Sequence, residues 1–440
     1  MRSFSAIIAA LALLLAGCSD NAFFGENEEP PLPGKRIPIL ESGRTITPQE
    51  QIAGTPVTVP EAMARGDWPQ VAGNPAHYGG NLAFFASPAE IWQASTAKGA
   101  VDEARRPLAP PVAANGRVFV LDAVLNVRAY DAATGAEVWA VGTAAPGEHD
   151  GFGGGLATDG ERVYIVGGHG QALALEASTG RLYWRTALPG PVRGAPALAD
   201  GDLYVATADN RLLGIRADDG AIQWNVPGGV AGAGLLGAAT PAVGRGAVIA
   251  ALDTGEILAV RAANGREIWR NSLAALRRFD FGAKLSDIAG SPVLYENAVY
   301  AASAAGRAAA FSLRTGNQLW ERRLGSSQTL WLAGDWIFAL TTESELVALE
   351  RRRGFVRWVF PLERYEDPED QDGAYFYSGP VLAGGRLITV RSDGQIAFHS
   401  IEDGSPVTTI ETGDDTILPP IVADGVLYLL ADNGTLRAFR

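Results

Sequence analysis

The chain has 440 residues, with 36 lysines and arginines against 49 aspartates and glutamates, a formal net charge of −13. That balance argues against a nucleic-acid partner and against a polybasic patch for a membrane surface. One cysteine excludes thiol catalysis in the folded part, and four histidines leave few candidates for a metal site.

Taken from its start, the chain opens with Met1-Arg2-Ser3 and then an unbroken apolar run of eleven residues, 6–16. The run is too short to span a bilayer and reads as a secretory signal peptide over 1–17. It ends in Leu15-Ala16-Gly17-Cys18, which resembles a bacterial lipobox; the resemblance implies cleavage before Cys18 and lipidation of that residue. Several acyl chains hold far more firmly than one, so stable anchoring is expected. Loss of Arg2 with the leader makes the remainder one unit more negative. Residues 18–60 are polar and rich in proline (Glu-Asn-Glu-Glu-Pro-Pro-Leu-Pro at 26–33, then Pro38, Pro48, Pro56 and Pro60) and are expected to form an extended tether. The folded part is expected over 61–440, with Gly66-Asp67-Trp68-Pro69 near its start and 77–85 leading into a strand at Ala89-Glu90-Ile91-Trp92.

From there a unit repeats. It is most complete at 129–139, Ala-Tyr-Asp-Ala-Ala-Thr-Gly-Ala-Glu-Val-Trp, and returns in variants ending at Trp184, Trp224, Trp269, Trp320 and Trp358. A glycine stands four residues before each tryptophan: Gly135, Gly180, Gly220, Gly265, Gly316 and Gly354. Each unit contains four short runs of β-branched and aromatic residues, separated by Asn-Gly, Asp-Gly or Thr-Gly turns that supply positive φ. Four antiparallel strands in roughly 40–45 residues make a propeller blade. Six units carry the tryptophan, a seventh ends at 405–410 without one, and an eighth opens at Pro420 and stops at Arg440 after three strands. The orphan strand with Trp92 matches Ala136-Glu137-Val138-Trp139, so it is expected to supply the missing fourth strand. The expected fold is all-β: an eight-bladed propeller of four-stranded antiparallel blades, closed by an N-terminal strand that completes the last blade and removes exposed edges. Trp92, Trp139, Trp184, Trp224, Trp269, Trp320 and Trp358 are assigned to docking each blade against its neighbour.

Function on such a ring is expected in the connections between blades. Four are long: 141–155, with Glu148-His149-Asp150 and the glycines 153–155; 228–240, with Leu235 and Leu236; 271–290, with Arg277, Arg278, Lys284 and Asp287; and 361–378, with an acidic run followed by Tyr375-Phe376-Tyr377. The histidines, His77, His149, His169 and His399, show no ligand spacing. The run from Pro368 to Gly373 departs from a calcium loop at its first position and at the twelfth, Gly379. The glycines at 153–155 lack the ending of a phosphate loop and read as a flexible connection. There is no Gly-x-Ser-x-Gly nucleophile elbow. No catalytic residue, metal ligand or cofactor is assigned.

The unit at 129–139 resembles the tryptophan-docking motif of pyrroloquinoline quinone (PQQ) dehydrogenases, which are eight-bladed propellers. Their adjacent cysteines, catalytic aspartate and calcium site have no counterpart here. Over lipobox, tether, blades and length the chain resembles the BamB family, lipoprotein subunits of the outer-membrane β-barrel assembly (BAM) machine. Leu235-Leu-Gly-Ala-Ala-Thr-Pro241 and Lys284-Leu-Ser-Asp-Ile-Ala-Gly-Ser-Pro292 carry the more specific likeness, ahead of the fourth and fifth blades. The resemblance implies a non-catalytic scaffold whose two connections dock on a periplasmic POTRA domain of the barrel subunit BamA. It implies that Leu235, Leu236 and Asp287 are contact residues, and that the complex acts on nascent outer-membrane proteins. The family has arginine where Leu236 stands and a second acid where Ala289 stands, so an apolar contact through Leu235 and Leu236 is the expectation here. Ser19, not aspartate, follows the cysteine, and likeness to sorted lipoproteins implies the outer membrane, on its periplasmic side. A PQQ-dependent dehydrogenase, or a propeller that stacks a ligand on Tyr375 and Tyr377, stand as alternatives.

Overall fold

The computed structural model describes residues 46–96, 106–144, 153–229, 239–274 and 290–440. Eight four-stranded antiparallel sheets follow one another along the chain, each paired in simple order from its first strand to its fourth. Blade 1 runs from Val112–Ala114 to Glu137–Gly142, blade 2 from Gly154–Thr158 to Leu182–Ala187, and blade 3 from Ala197–Ala199 to Ile222–Pro227. Blade 4 spans Ala242–Gly244 to Glu267–Ser272, blade 5 Val293–Tyr295 to Gln318–Arg322, blade 6 Trp331–Ala333 to Val356–Pro361 and blade 7 Tyr377–Ala383 to Pro406–Glu411. Blade 8 is Ile421–Ala423, Val426–Leu430 and Thr435–Phe439, completed by Glu90–Ser95. The expected closure is therefore present: Trp92 lies opposite Ala438, and Ala89 and Arg440 exchange both backbone hydrogen bonds.

The sheets stack face to face, so the middle strands are covered on both sides and read as continuous apolar runs; all five residues of Ala247–Ala251 are buried. The outer strand has solvent on one side and alternates, and in Glu267–Ser272 the buried member is Trp269. Each tryptophan lies across from a small residue on the third strand: Ala129, Ala174, Gly214, Ala259, Ala310 and Ala348 in blades 1 to 6, and Ala438 in blade 8. That leaves its ring room to lean into the next blade, where its indole N–H donates to a backbone carbonyl. Trp139 reaches Ala177 at 3.0 Å, Trp269 reaches Leu313 at 2.7 Å, and Trp92 reaches Ala132 of blade 1 at 3.1 Å. The glycine of the next blade's last turn lies under the ring. At Gly135, held at φ +71°, a Cβ would stand 2.6 Å from Trp92 Cε3. Only glycine fits both the conformation and the approach.

Blade 7 lacks a tryptophan for a visible reason. Thr408 occupies the position, and its cross-strand partner is Phe398 instead of an alanine or glycine. The bulk has moved from the fourth strand to the third, where Phe398 is fully buried and stacks on Phe84. The neighbour it would dock against, blade 8, takes its fourth strand from Glu90–Ser95, so its third and fourth strands meet at the Ala89–Arg440 hydrogen bonds with no connecting turn. A tryptophan in blade 7 would have no glycine to cover.

Two expectations need correction. Part of the stretch read as tether is folded: Gln49 pairs with Val356 of blade 6, and Ile52 and Val57 are buried in the core. The glycines at 153–155 are not a loose connection, since Gly154 and Gly155 begin the inner strand of blade 2. A Cβ on Gly155 would lie 2.5 Å from that of Ala195 at the entry to blade 3, so glycine permits close approach of the blades. The acidic run is exposed and has a defined form. Tyr365–Asp367 and Asp372–Ala374 form a two-stranded hairpin whose turn is capped by Asp367 Oδ1, accepting from the N–H groups of Glu369 and Asp370.

The sequence gives little sign of the largest additional element. Residues 65–82 run as a girdle along the inner strands of all eight blades, in ring order. Arg65 O accepts from Asp424 N in blade 8, and Trp68 pairs with Ala113 in blade 1. Pro69 O accepts from Thr158 in blade 2, and the Gln70 amide exchanges two bonds with Leu198 in blade 3. Pro75 O takes Val243 N in blade 4, and Ala76 O takes Leu294 N in blade 5. Gly80 N donates to Leu332 in blade 6, and Leu82 N to Leu382 in blade 7. Trp68, 3% exposed, stacks on Trp331 with ring centroids 6.3 Å apart. The girdle lies on the side of the turns between first and second strands. The long connections and the turns between second and third strands are on the other.

Candidate docking face and channel mouth

Two of the long connections were singled out for partner contact, and the structure describes their ends. Leu235, Leu236 and Asp287 lie outside the described residues. The first connection leaves blade 3 through Gly228 and Gly229. Gly228 N donates to Asn210 O, Gly229 N to Glu256 Oε2, and the Asn210 amide to Gly229 O. Glu256 is held below the usual carboxylate range by that N–H, Thr254 and Arg270, despite the opposing effect of its burial. The connection re-enters at Ala239 and Thr240, both buried. The second leaves blade 4 after Leu273, whose carbonyl accepts from Ser303 Oγ, and returns through Gly290 and Ser291. At Gly290 a Cβ would stand 2.3 Å from Gln328 O, so the backbone is pressed against the entry to blade 6. The two returns are stitched together, with Thr240 N donating to Ser291 Oγ and Ser291 N to Thr329 Oγ1.

Further round the same face the hairpin 365–374 stands at the channel mouth beside a cavity of about 880 Å³. Thr341, Thr342 and Ser344 of blade 6, Ser392 and Asp393 of blade 7, and Asp432 of blade 8 line its wall, and Tyr375, Phe376 and Tyr377 line its hairpin side. Tyr375 is stacked under the Arg391 guanidinium at 4.2 Å. Arg391 is tied to Asp393 and Glu363, and its hydrogen bond to Asp393 raises its pKa. The Tyr377 hydroxyl donates to Glu363 O, and burial pushes it up to about 12. Phe376 is 67% exposed. Asp432 pairs with Arg106 at 3.3 Å, but its Oδ1 is shielded without a partner among the described residues, and burial raises its pKa.

Two of the histidines are buried and serve packing. His399 is buried between Thr389 and the Gly404 carbonyl, and His77 is buried in the girdle on Pro292 O. His149 and Asp150 lie outside the described residues. Among the described residues no group of three or more His, Cys, Asp or Glu is placed to hold a metal. The girdle and the hairpin cavity were not found by sequence reasoning. The available signals were Trp68, a tryptophan outside the repeat, and Tyr375-Phe376-Tyr377 following an acidic run.

The family model described as outer membrane protein assembly factor BamB matches residues 124–360. Among curated proteins of that name, the one from Salmonella typhimurium is 30% identical over 363 residues, covering 80% of this chain and 88% of its own length. That from Yersinia pestis is 27% identical over 360 residues, 80% and 89%, and that from Escherichia coli K12 is 28% identical over 337 residues, 74% and 82%. The solved structure of BamB from Moraxella catarrhalis superposes with a TM-score of 0.66 at 19% identity, covering 80% of this chain and all of that one. Quinohemoprotein alcohol dehydrogenase from Comamonas testosteroni also gives 0.66, at 13% identity, over 86% of this chain and 81% of that one. At these identities the two structures speak for the fold alone.

Proposed function

The chain belongs to the family of outer membrane protein assembly factor BamB, and from that premise we propose that it is a non-catalytic scaffold subunit of the outer-membrane β-barrel assembly machine. In this reading residues 1–17 direct export, Cys18 carries the lipid anchor in the outer membrane, and the stretch from 18 to about 45 tethers the ring on the periplasmic side. The connections 228–240 and 271–290 grip the POTRA region of a BamA-like barrel subunit, with Leu235 and Leu236 as the apolar contact and Asp287 as the charged one. The ring thereby aids folding and insertion of outer-membrane proteins.

The observation that carries the reading is the pairing of those two connections. They leave neighbouring blades on one face and return side by side, joined by the Thr240–Ser291 hydrogen bond. Loops that must present one surface to one partner gain from a shared, buried base, because less of their freedom is left to lose on binding. The likeness to quinoprotein dehydrogenases is one of fold, and no described residue favours that chemistry.

The test is recovery of the barrel subunit from solubilised envelopes with the tagged chain. Leu236→Asp and Asp287→Ala are expected to reduce it severalfold. Unchanged recovery with both would sink the contact assignment; no recovery with the unaltered chain would sink the scaffold reading.

A further inference from the structure

The channel of this ring has unequal ends. The girdle 65–82 occupies one, hydrogen-bonded to every blade. The other opens into the cavity of about 880 Å³ beside the hairpin 365–374, within the range that specific ligand sites occupy. Among the described residues the charges lining it do not balance. Of the two guanidiniums on its wall, Arg364 pairs with Glu343, and Arg106 pairs with Asp432 through one terminal nitrogen while its Nε has no partner among the described residues. Asp415 and Glu366 line the same space with no side-chain hydrogen bond or ion pair among the described residues. Asp432 adds a shielded oxygen with no partner there. A recess walled by low-dielectric protein and carrying surplus carboxylates concentrates cations at its mouth.

The hairpin adds a second, independent feature. Its strands, Tyr365–Asp367 and Asp372–Ala374, pair with each other and, among the described residues, with no further strand, so each keeps a short outer edge of backbone groups. Open edges of this kind accept an extended peptide as an additional strand. Phe376, the most exposed of the large apolar side chains among the described residues, stands at the end of the hairpin and lines the cavity. An apolar ring, an open strand edge and unpaired carboxylates within one recess suit a chain that is extended and alternates apolar with basic side chains.

We propose that the channel mouth between the hairpin 365–374 and blades 6, 7 and 8 is a binding site for an extended, basic peptide segment of another protein. The segment pairs with the hairpin edge, rests an apolar side chain on Phe376 and places lysine or arginine beside Asp415 and Glu366. The site is separate from the connections 228–240 and 271–290 and does not depend on the scaffold reading.

The probe is a fluorescein-labelled heptapeptide alternating arginine with valine, titrated with the purified full-length chain and read by fluorescence anisotropy. Its control carries glutamate for arginine. Saturable, salt-sensitive binding of the basic peptide, with none of the acidic one, is expected. Asp415→Asn with Glu366→Gln should weaken it by roughly an order of magnitude, and Phe376→Ala should weaken it as well. Asp370→Asn with Glu369→Gln, at the hairpin tip and away from the cavity lining, should leave it within about twofold. Absence of binding, equal binding of the acidic peptide, or full affinity in the Asp415 and Glu366 double variant with an unaltered melting curve would each overturn the proposal. Because no partner protein is present in the titration, a negative result leaves the envelope recovery experiment unaffected.

Discussion

Thr240 and Ser291 belong to different blades, yet the backbone N–H of one donates to the hydroxyl oxygen of the other at 3.0 Å, with both residues buried. The bond fixes the return of one blade connection to the return of the next. Ser291→Ala removes the acceptor and strands a buried N–H, at a cost of about 1–3 kcal/mol. Chemical denaturation should show that loss. Recovery of the barrel subunit should fall with it, although Ser291 is not assigned to the contact. A stability loss with full recovery would mean that the two connections act without a common base.

The tryptophan ladder makes a sharper prediction. Trp139→Ala and Trp92→Ala should each cost about 3–5 kcal/mol, as expected for a buried aromatic that leaves a cavity. Trp92 should cost no less than Trp139, although it lies on a strand far from the other three of its blade in sequence. Thr408→Trp, which restores the repeat by inspection, should stabilise nothing. Phe398 already fills the space, and blade 8 has no glycine turn to receive a second ring. A clear rise in melting temperature for Thr408→Trp would contradict this account of the missing tryptophan.

What was legible in the chain was whatever side chains repeat. Trp139, Gly135 and their counterparts mark the blades because each makes the same contact in the same turn, and Ile91-Trp92 could be matched to Val138-Trp139 before its partner strand was known. The girdle was hidden because, apart from the Gln70 amide, its links are made by backbone atoms, as at Arg65 O, Pro69 O, Pro75 O and Ala76 O, which leave no residue pattern. Its visible traces are Trp68 and the turn pairs Asn74-Pro75 and Gly79-Gly80. The hairpin 365–374 was hidden for another reason. Its strands have three residues each, and its acids and glycine carry the composition of a loop. The proposed contact residues Leu235, Leu236 and Asp287 were reached through resemblance, and they lie outside the described residues.

The girdle can be tested through its tightest approach. A Cβ at Gly79 would lie 2.2 Å from Trp331 Cε2, and that ring is pinned by its own N–H bond to Gly80 O and by the stack on Trp68. Gly79→Ala should therefore displace the segment or the ring, with a loss of about 1–3 kcal/mol. Protease cleavage between Arg65 and Phe85 should appear in the variant well before the blades are cut. Resistance equal to that of the unaltered chain would show that the girdle holds independently of this contact.

The last prediction concerns pH. His77 sits in the girdle at φ +58° and is fully buried; its Nδ1–H donates to Pro292 O at 2.8 Å, and Nε2 has no partner among the described residues. Burial lowers its pKa to about 4, outweighing the Pro292 bond, which acts to raise it. The unfolded chain takes up the proton near pH 6.5 and the folded chain resists until about pH 4. The contribution of neutral His77 is therefore intact above pH 6.5 and is lost as pH falls toward 4. Between pH 7 and pH 4.5 that difference amounts to about 2–3 kcal/mol. His77→Asn tolerates the left-handed backbone and cannot be protonated in this range. Urea midpoints for both chains at pH 7 and pH 4.5 should show the unaltered protein losing more stability on acidification than the variant, by about that amount, with the carboxylates common to both cancelling in the comparison. Parallel losses would mean that His77 is not the group that titrates.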